Sequence, residues 1–354
     1  MKNVTKILTA VTLCAALFAS DQRIGALGGK AALWPGDEAN IAAFPAQINN
    51  HSFVQLTNVG TGDDDAAGGV SLLTQVDGTT WGFNYGNTDD WVNMAWGNGT
   101  MGVVVGMEST ASEDGNSDKS AMSIAYGNTF DWGELGVKYQ TYNDVCDDDG
   151  NCAAKDASLG VNYRTDWGFF LFDNTVASIG NLMADDLAVS ADFFTHMDAG
   201  GADVVFGWGF GYNAAEGTAV VGTAADDGGT PDDDTDDTAA SDDYAPAMDY
   251  VTLGQSATIG IEANMTDWAT LRVGYNWTHS LACSNGNPAD DSCGENTSGF
   301  NWGLGFNWGG FTADYTVSSG IFQDPIGTIT GYSADGDGGS KGLTDQAITL
   351  TYSF

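Results

Sequence analysis

Ionisable side chains recur on the polar faces of stretches in which apolar and polar residues alternate. They are Glu134, Lys138, Arg164, Asp192, His196, Glu262, Arg272 and Asp314. If these faces enclose a water-filled lumen, opposed charges on them set a transverse field and tune selectivity for ions. We therefore predict that they are lumen and selectivity residues. The alternative is that they pair only with one another or with a plug.

One pair of these residues flanks a short turn. A three-residue loop at 265–267 would place Gly260 opposite Arg272, with Glu262 diagonally across from Arg272 and within reach of its side chain. On this interpretation Arg272→Glu changes ion selectivity and leaves heat stability nearly intact.

Aspartate clusters with glycine and asparagine in three long polar stretches, at 146–151, 226–237 and 334–338. The candidate metal ligands are Asp147, Asp148, Asp149, Asp232, Asp233 and Asp234. Hard oxygen ligands on flexible turns suit Ca²⁺, although the spacing is not that of an EF-hand loop. The alternative is that these acidic loops are simply solvated. No cofactor is therefore expected to be required, and the sequence leaves open whether Ca²⁺ binds in extracellular loops.

Four cysteines form two local pairs, Cys146 with Cys152 and Cys283 with Cys293. Residues 1–20 read as a signal peptide, and an exported chain meets an oxidising compartment, so the spacing predicts two loop disulfides. Zinc is the rival ligand, but no histidine lies near either pair.

Catalysis is not expected. The histidines are His51, His196 and His279. His279 and Ser280 are adjacent and would point to opposite faces of a strand. Ser190 shares a face with His196 but lies roughly 20 Å along it.

The composition limits the classes of partner. The chain has 354 residues, with 10 Lys+Arg against 48 Asp+Glu and a net charge of -38. Nucleic acid is excluded as a partner, because phosphate binding requires a basic surface. A hydrophobic fraction of 42% argues against disorder despite the acidity.

Alternation with a period of two dominates after residue 50. In 202–213 the apolar face is Val204, Phe206, Trp208, Phe210 and Tyr212, and the opposite face is mostly glycine. Short turns, such as 128–133 and 265–267, alternate with long polar loops, such as 214–249 and 319–343. Rows of apolar groups opposite small polar residues, with this asymmetry of loops, predict an antiparallel transmembrane β-barrel.

Tryptophan lies beside several short turns, in "NTDDW", "NTFDW", "RTDW" and "MTDW". An indole prefers the membrane interface, so the repeat predicts an aromatic girdle. Trp268 is an even-numbered position like Arg272, so the alternation predicts that its side chain faces the lumen. Only a turn distortion or a bulge would turn it toward the exterior. Trp that simply packs at strand ends is the alternative.

The two ends of the chain carry export signals. Residues 1–20 read as a signal peptide, with Lys2 and Lys6 before an apolar run too short to cross a bilayer. The C-terminus places Tyr352 and Phe354 on one face, which resembles the signal read by the outer-membrane barrel assembly machinery.

Residues 21–50 do not alternate. The elements Ala26–Gly29, Asp37–Ala39 and Pro45–Ala46 resemble the opening of the FadL/PorV-type outer-membrane family, with Phe44 where that family has Asn. The resemblance implies an N-terminal plug inside a barrel and, in the FadL branch, uptake of hydrophobic molecules. A periplasmic lead-in is the alternative.

Together these patterns predict an all-β protein of the bacterial outer membrane, porin-like, with about 14 strands and a range of 12–16. One of these strands is expected at 167–173. The domains are a signal peptide at 1–20, a plug or lead-in at 21–50, and a barrel at 51–354.

The expected function is passive diffusion of small solutes or ions. Uptake of hydrophobic molecules and a structural or adhesive role with metal-bridged loops are the alternatives. The expected partners are outer-membrane lipid, the assembly machinery and small solutes, with a homo-oligomer left open.

Overall fold

The computed structural model describes residues 21–59, 68–86, 91–110, 119–142, 145–146, 152–153, 157–183, 187–215, 250–284, 296–318 and 348–354. The first strands are β1 (Phe53–Val59), β2 (Gly69–Val76), β3 (Thr79–Gly86), β4 (Trp91–Gly97), β5 (Met101–Thr110), β6 (Lys119–Phe130), β7 (Gly133–Tyr142), β8 (Val145–Cys146) and β9 (Cys152–Ala153). They are followed by β10 (Ser158–Thr165), β11 (Asn174–Gly180), β12 (Leu187–Asp198), β13 (Ala202–Ala215), β14 (Tyr250–Thr266), β15 (Ala269–Ser284), β16 (Thr297–Trp308), β17 (Phe311–Ser318) and β18 (Ile348–Ser353).

Sixteen of the described strands form one closed antiparallel barrel, and β8 pairs only with β9. Each barrel strand pairs with its neighbour in sequence, and β1 closes the circle on β18. The preferred count of 14 strands is therefore wrong. The four strands before residue 100, β1 to β4, complete the circle, and closure of β1 on β18 leaves the sheet without a free edge.

The alternation of side chains separates the two faces of the wall. On β13, Val205, Gly207 and Gly209 are buried inside, whereas Phe206 and Phe210 face outward. The outward positions form an apolar exterior around the barrel. Members that are more than a third exposed include Val54, Leu72, Phe83, Met94, Val105, Ile124, Phe210, Ile259 and Tyr275. The predicted alternation is thus confirmed on both faces.

Tryptophan surrounds the end of the barrel that carries the short turns. Trp81, Trp132, Trp167, Trp268 and Trp308 lie in or beside these turns and are between 50% and 71% exposed. Trp132, Trp167 and Trp268 thus form the predicted aromatic girdle, whereas Trp91 of "NTDDW" begins β4 at the opposite end of the barrel, so its predicted place in the girdle is wrong.

A bulge explains why Trp268 does not face the lumen as the alternation of the strand predicts. The register shifts between Asn264 and Thr266, so that Thr266 pairs with Ala269 and Trp268 lies in the turn. Its ring stacks on outward-facing Phe306 at 6.1 Å. The same bulge places Glu262 directly opposite Arg272, so the predicted pairing of Gly260 with Arg272 is wrong.

The apolar run at 167–173 is a turn and not the predicted strand. The strand begins at Asn174, and the run folds back through a Phe169–Phe172 bridge, with Phe170 at a positive φ of 58°. The run does not alternate, so a strand formed by it would carry apolar side chains on both faces. Phe169 and Phe172 pack outside the barrel on Phe193 and Phe206.

Short helices occupy the interior. They are α1 (Asp21–Ala26) and three 3-10 helices, η1 (Ala31–Leu33), η2 (Glu38–Ala42) and η3 (Pro45–Asn50). In the described part of the chain, no helix has the length and apolarity of a membrane span.

Candidate functional site

Residues 22–50, called here the lumen segment, lie inside the barrel against the wall. Leu33 and Phe44 pack on Val176, Phe194 and Val205 of β11 to β13. On another part of the wall, Ile41 and Ile48 pack in a second apolar cluster. The wall residues of this cluster are Phe53, Leu73, Ala95, Val104 and Ala125. The lumen therefore holds an apolar core in which segment and wall bury each other.

Inward-facing glycines let the segment approach the wall backbone. A Cβ at Gly102 would overlap the carbonyl of Pro45, and one at Gly127 would lie 2.5 Å from the backbone nitrogen of Ala46. At Gly136 the overlap would be with the carbonyl oxygen of Ala43. On the far wall, a Cβ at Gly274 would overlap the backbone nitrogen of Gly28. These glycines form a seat that larger residues would fill.

An ion cluster joins the segment to β14, β15 and β17. Arg272 donates from Nε to Glu262 Oε2 at 2.6 Å and from Nη1 to Asp314 Oδ1 at 2.5 Å. Arg23 of the segment donates to the same Glu262 oxygen at 2.9 Å and also to Asp37. Asp37, Arg272 and Asp314 are buried, so each charge depends on its partner.

The burial of this cluster changes the protonation of the segment. Burial lowers the pKa of Arg23, but the carboxylates of Asp37 and Glu262 outweigh it and raise that pKa above its usual value. Burial, followed by the charge of Asp37, raises the pKa of Glu38 to about 8. Glu38 therefore carries a proton at neutral pH, and Gln55 Nε2 donates to its Oε1 at 3.3 Å.

A second cluster holds the middle of the segment. Arg164 donates from Nε to Glu134 Oε2 at 2.7 Å and from Nη1 to Asn40 Oδ1 at 2.7 Å. Its guanidinium lies 4.5 Å from the centroid of the Phe44 ring, and Gln47 donates to Glu134. Arg164 and Glu134 thus pair with each other and bind the segment.

Lys30 and His196 complete the contacts of the predicted lumen residues. Lys30 donates to Asp192 Oδ1 at 2.6 Å. His196 has Nε2 at 2.8 Å from the Leu33 carbonyl and Nδ1 at 3.2 Å from Asp203. Lys138 faces inward between Ala125 and Gly160 but makes no ion pair within the described residues.

The structure thus places seven of the eight predicted side chains in ion pairs, and two of these pairs, Arg23–Glu262 and Lys30–Asp192, join the wall to the segment. Sequence reasoning missed Arg23 and Lys30 as their partners, and Asp37 as the partner of Arg23. A signal existed, because Arg23 and Lys30 are basic residues in a chain that has 10 in all, and both fall in the one stretch that does not alternate.

Other predicted residues lie outside the described ranges, or are described by the position of their backbone alone. Residues 1–20, Asp147 to Asp149, Asp232 to Asp234 and Cys293 lie outside the ranges. The β8–β9 register places Cys146 opposite Cys152, and Cys283 lies in β15 opposite Thr252. Both disulfides stay predictions.

The C-terminal residues lie on the exterior. Tyr352 and Phe354 are more than half exposed, with ring centroids 6.2 Å apart. The backbone nitrogen of Phe354 donates to the Ser52 carbonyl at 3.2 Å, beside the start of β1. The predicted shared face is therefore present, and its recognition by assembly machinery stays a prediction.

Comparisons with known proteins give structures but no sequence relatives. No protein-family model matches this sequence, and no curated protein does either. The CymD monoaromatic hydrocarbon channel is similar at 9% identity and a TM-score of 0.41, covering 96% of this chain and 98% of that one. BamA from Haemophilus ducreyi, lacking POTRA domains 1–3, is similar at 10% identity and a TM-score of 0.40, covering 86% of this chain and 70% of that one.

The translocator domain of the autotransporter NalP from Neisseria meningitidis is similar at 11% identity and a TM-score of 0.29, covering 85% of this chain and 87% of that one. Identities and TM-scores at this level carry no inference about the function of this chain.

The geometry of the barrel itself gives the class. A closed antiparallel barrel with an even number of strands, an apolar exterior and a ring of tryptophan at its short turns is the form that crosses bacterial outer membranes. The chain is therefore a bacterial outer-membrane β-barrel.

Proposed function

We propose that the protein is an outer-membrane channel for small solutes, closed in the state described here by the lumen segment. The observation that carries this proposal is the contact of one continuous segment with strands all around the wall. Near its end, η3 contacts β3 to β7, and near its start, α1 contacts β15 to β18. Leu33 contacts Gly207 of β13 between them. A segment seated in this way obstructs free diffusion, so passage requires it to move.

The chemistry of the seat suits a segment that can move. The segment is joined to the wall by the ion pairs of Arg23 and Lys30, by the apolar clusters, and by hydrogen bonds such as those of Arg164 to Asn40 and of His196 to the Leu33 carbonyl. It adds no strand to the sheet, so the barrel would stay closed on itself if the segment left. Both states therefore keep the ladder of backbone hydrogen bonds that a bilayer demands.

Uptake of hydrophobic molecules is a second candidate. Lumens of such barrels are usually polar, yet here Val176, Phe194 and Val205 form an apolar area inside the wall. If the segment moved, this area would be exposed to an apolar solute. The resemblance of residues 21–50 to the opening of FadL/PorV-type proteins agrees with this candidate.

The test is ion current through single proteins in a planar bilayer. Gly136→Ala with Gly274→Ala fills the seat and displaces the segment. The matched control is Gly160→Ala with Gly211→Ala. These two glycines also face the lumen, but an added Cβ there lies 3.8 Å or more from its nearest neighbour. Heat-modifiable migration in electrophoresis verifies that each barrel is folded.

We expect the wild type and the control to be silent and the seat variant to give stable steps of current. If the seat variant fails to fold, Arg23→Ala with Lys30→Ala removes the ion pairs between segment and wall without filling the seat. A folded variant with the segment released that stays silent would refute the channel. A wild type with a permanently open current would refute the closure.

A further inference from the structure

One row of lumen-facing side chains contains no charged residue over ten consecutive strands. Its members, each directly opposite the next in the register, are Thr312, Thr351, Gln55, Ser71, Asn84, Asn93, Gly106, Ser123, Gln140 and Ser158. All except Gly106 carry a hydroxyl or an amide. We call this set the polar row.

The polar row rises through the full height of the barrel. It starts at Thr312, two residues after the short turn at Gly310. It ends at Ser158, the first residue of β10, whose other end at Thr165 lies at the short turns. Strands in a barrel are tilted, so residues paired straight across climb along the axis from one strand to the next. The row therefore connects one mouth of the lumen with the other.

Within the row, side chains bond to their neighbours and leave acceptors unused. Asn93 Nδ2 donates to Asn84 Oδ1 at 3.2 Å, and Asn84 Nδ2 donates to Ser71 Oγ at 2.7 Å. Gln55 Nε2 donates to Thr351 Oγ1 at 3.1 Å. Gln55 and Asn93 are fully buried, yet Gln55 Oε1 and Asn93 Oδ1 accept no hydrogen bond within the described part of the chain. Buried acceptors without a donor are unfavourable, so they call for an explanation.

The adjacent row toward the short turns has the opposite character. It consists of Phe53, Leu73, Gly82, Ala95, Val104 and Ala125, again paired straight across. Ile41 and Ile48 of the lumen segment pack on it. Glu38 of the segment also accepts from Gln55 in the polar row. Movement of the segment off its apolar seat would therefore open space beside the polar row.

We propose that the polar row is the track for neutral polyhydroxyl solutes when the channel is open, an inference that rests on the proposed function. Hydroxyl groups of such a solute donate to Gln55 Oε1 and Asn93 Oδ1, which accept no hydrogen bond from the described residues in the closed state. Paired side chains across strands are about 5 Å apart, so a solute can exchange one partner for the next. An ion gains less, because no row member carries a charge that would compensate for its lost hydration.

Several of the charged wall residues are paired with opposite charges, whereas Lys138, two residues before Gln140 of the row, has no ion pair among the described residues. Arg272 is neutralised by Glu262 and Asp314, and Arg164 is neutralised by Glu134. They also lie outside the row.

The test measures entry of three solutes of similar size into proteoliposomes, namely glucose, the gluconate anion and the glucosamine cation. The background is the released variant, Gly136→Ala with Gly274→Ala. Asn93→Leu with Gln55→Met removes the two acceptors and keeps the volume. Thr258→Val is the matched control, because Thr258 is also buried with an unpartnered hydroxyl within the described residues but lies on β14, outside the row.

We expect glucose to enter faster than either ion in the released variant. Loss of the two acceptors should slow glucose by about fivefold or more, since each hydrogen bond contributes about fivefold, and leave the ions unchanged. Thr258→Val should leave all three rates unchanged. Entry of glucose that does not depend on Asn93 and Gln55, or no preference for glucose, overturns the track and leaves the channel intact. No entry of any solute overturns the proposed function and the track with it.

Discussion

At the scale of single residues, the charges of the lumen hold parts of the protein together. Arg272 has 6% of its surface exposed and bonds to two carboxylates. The sequence identified Arg272 and Glu262 as neighbours from alternation and turn length alone. It could not show that Arg23 approaches the same carboxylate, because the two are 239 residues apart in the chain.

This placement revises the expected effect of substituting Arg272. Removing one member of a buried ion pair leaves its partners charged and unsolvated, which destabilises by about 3 kcal/mol or more. We therefore expect Arg272→Ala to lower the free energy of unfolding in urea by roughly that amount, and Arg272→Glu to lower it further. The earlier expectation of nearly intact stability does not hold for a buried, paired arginine.

Lys138→Ala is the control for this experiment. Lys138 also faces the lumen on a barrel strand, but it has no ion pair among the described residues. Its substitution should change the free energy of unfolding by less than about 0.5 kcal/mol. Equal effects of the two substitutions would contradict the role assigned to the cluster.

Glu38 gives the closed state a dependence on pH. Its pKa is about 8 when the segment is seated, against an ordinary value of 4.5. Between these values the closed state holds a proton that the released state has lost, so closure weakens as pH rises. Below 4.5 both states hold the proton and the stabilisation is complete.

We expect the current of the wild-type protein to be absent at pH 5 and to increase as pH passes about 8. Asp37, Arg23 and Asp314 act on Glu38 from the segment and the wall, so the control must leave them in place. Glu38→Gln is that control, since it cannot ionise and should remove the dependence over this window. A current in Glu38→Gln that follows pH as the wild type does would exclude Glu38 as the cause.

At the scale of elements, the sequence predicted strands well where apolar and polar residues alternate, and less well elsewhere. Strands such as β13 have one apolar and one small polar face, so their parity could be read directly. The run at Trp167–Phe172 is apolar at every position except Gly168, so its fold could not be read from parity. It forms a turn outside the barrel wall, where the surroundings of both of its faces are apolar.

The bulge at Asn264 and Thr266 marks another limit of sequence reasoning. The turn chemistry of "NMTDW" allows either a three-residue loop or a bulge with a two-residue turn. Only the bulge turns Trp268 toward the exterior, where it stacks on Phe306. The preference of the indole for the interface therefore agrees with the register that the strand adopts.

The β8–β9 hairpin leads to a prediction about covalent structure. Its register sets Cys146 directly opposite Cys152. Opposite residues of an antiparallel pair have Cα atoms about 4.5–5.5 Å apart, which lies within the range that a disulfide spans. We expect peptide mass spectrometry without reduction to find these two cysteines linked in protein isolated from the outer membrane.

Cys146→Ser is the control for the disulfide. It should free Cys152 for alkylation and leave the linkage of Cys283, if present, unchanged. Free thiols at both Cys146 and Cys152 in the wild type would contradict the prediction.

At the scale of the whole molecule, the net charge did not predict the character of the lumen. The chain carries a net charge of -38, yet in the described ion clusters of the lumen four basic side chains face five acidic ones. Bulk charge therefore predicted the absence of a nucleic-acid partner but gave no information about the lumen. The class of fold followed from alternation, loops and termini. The position of residues 22–50 was implied only by a family resemblance, because a short non-alternating segment carries no periodic signal.

The central claim is that residues 22–50 are seated inside the barrel, and thiol labelling tests it most directly. Ala39 is buried in the lumen core, whereas Gly36, three residues before it, is exposed with no atom within 4 Å of an added Cβ. A cysteine is placed at either position in the refolded barrel and treated with a membrane-impermeant maleimide, with the wild type as the background. We expect rapid labelling of Gly36→Cys and labelling of Ala39→Cys only after denaturation. Equally rapid labelling of both cysteines in the folded barrel would contradict it.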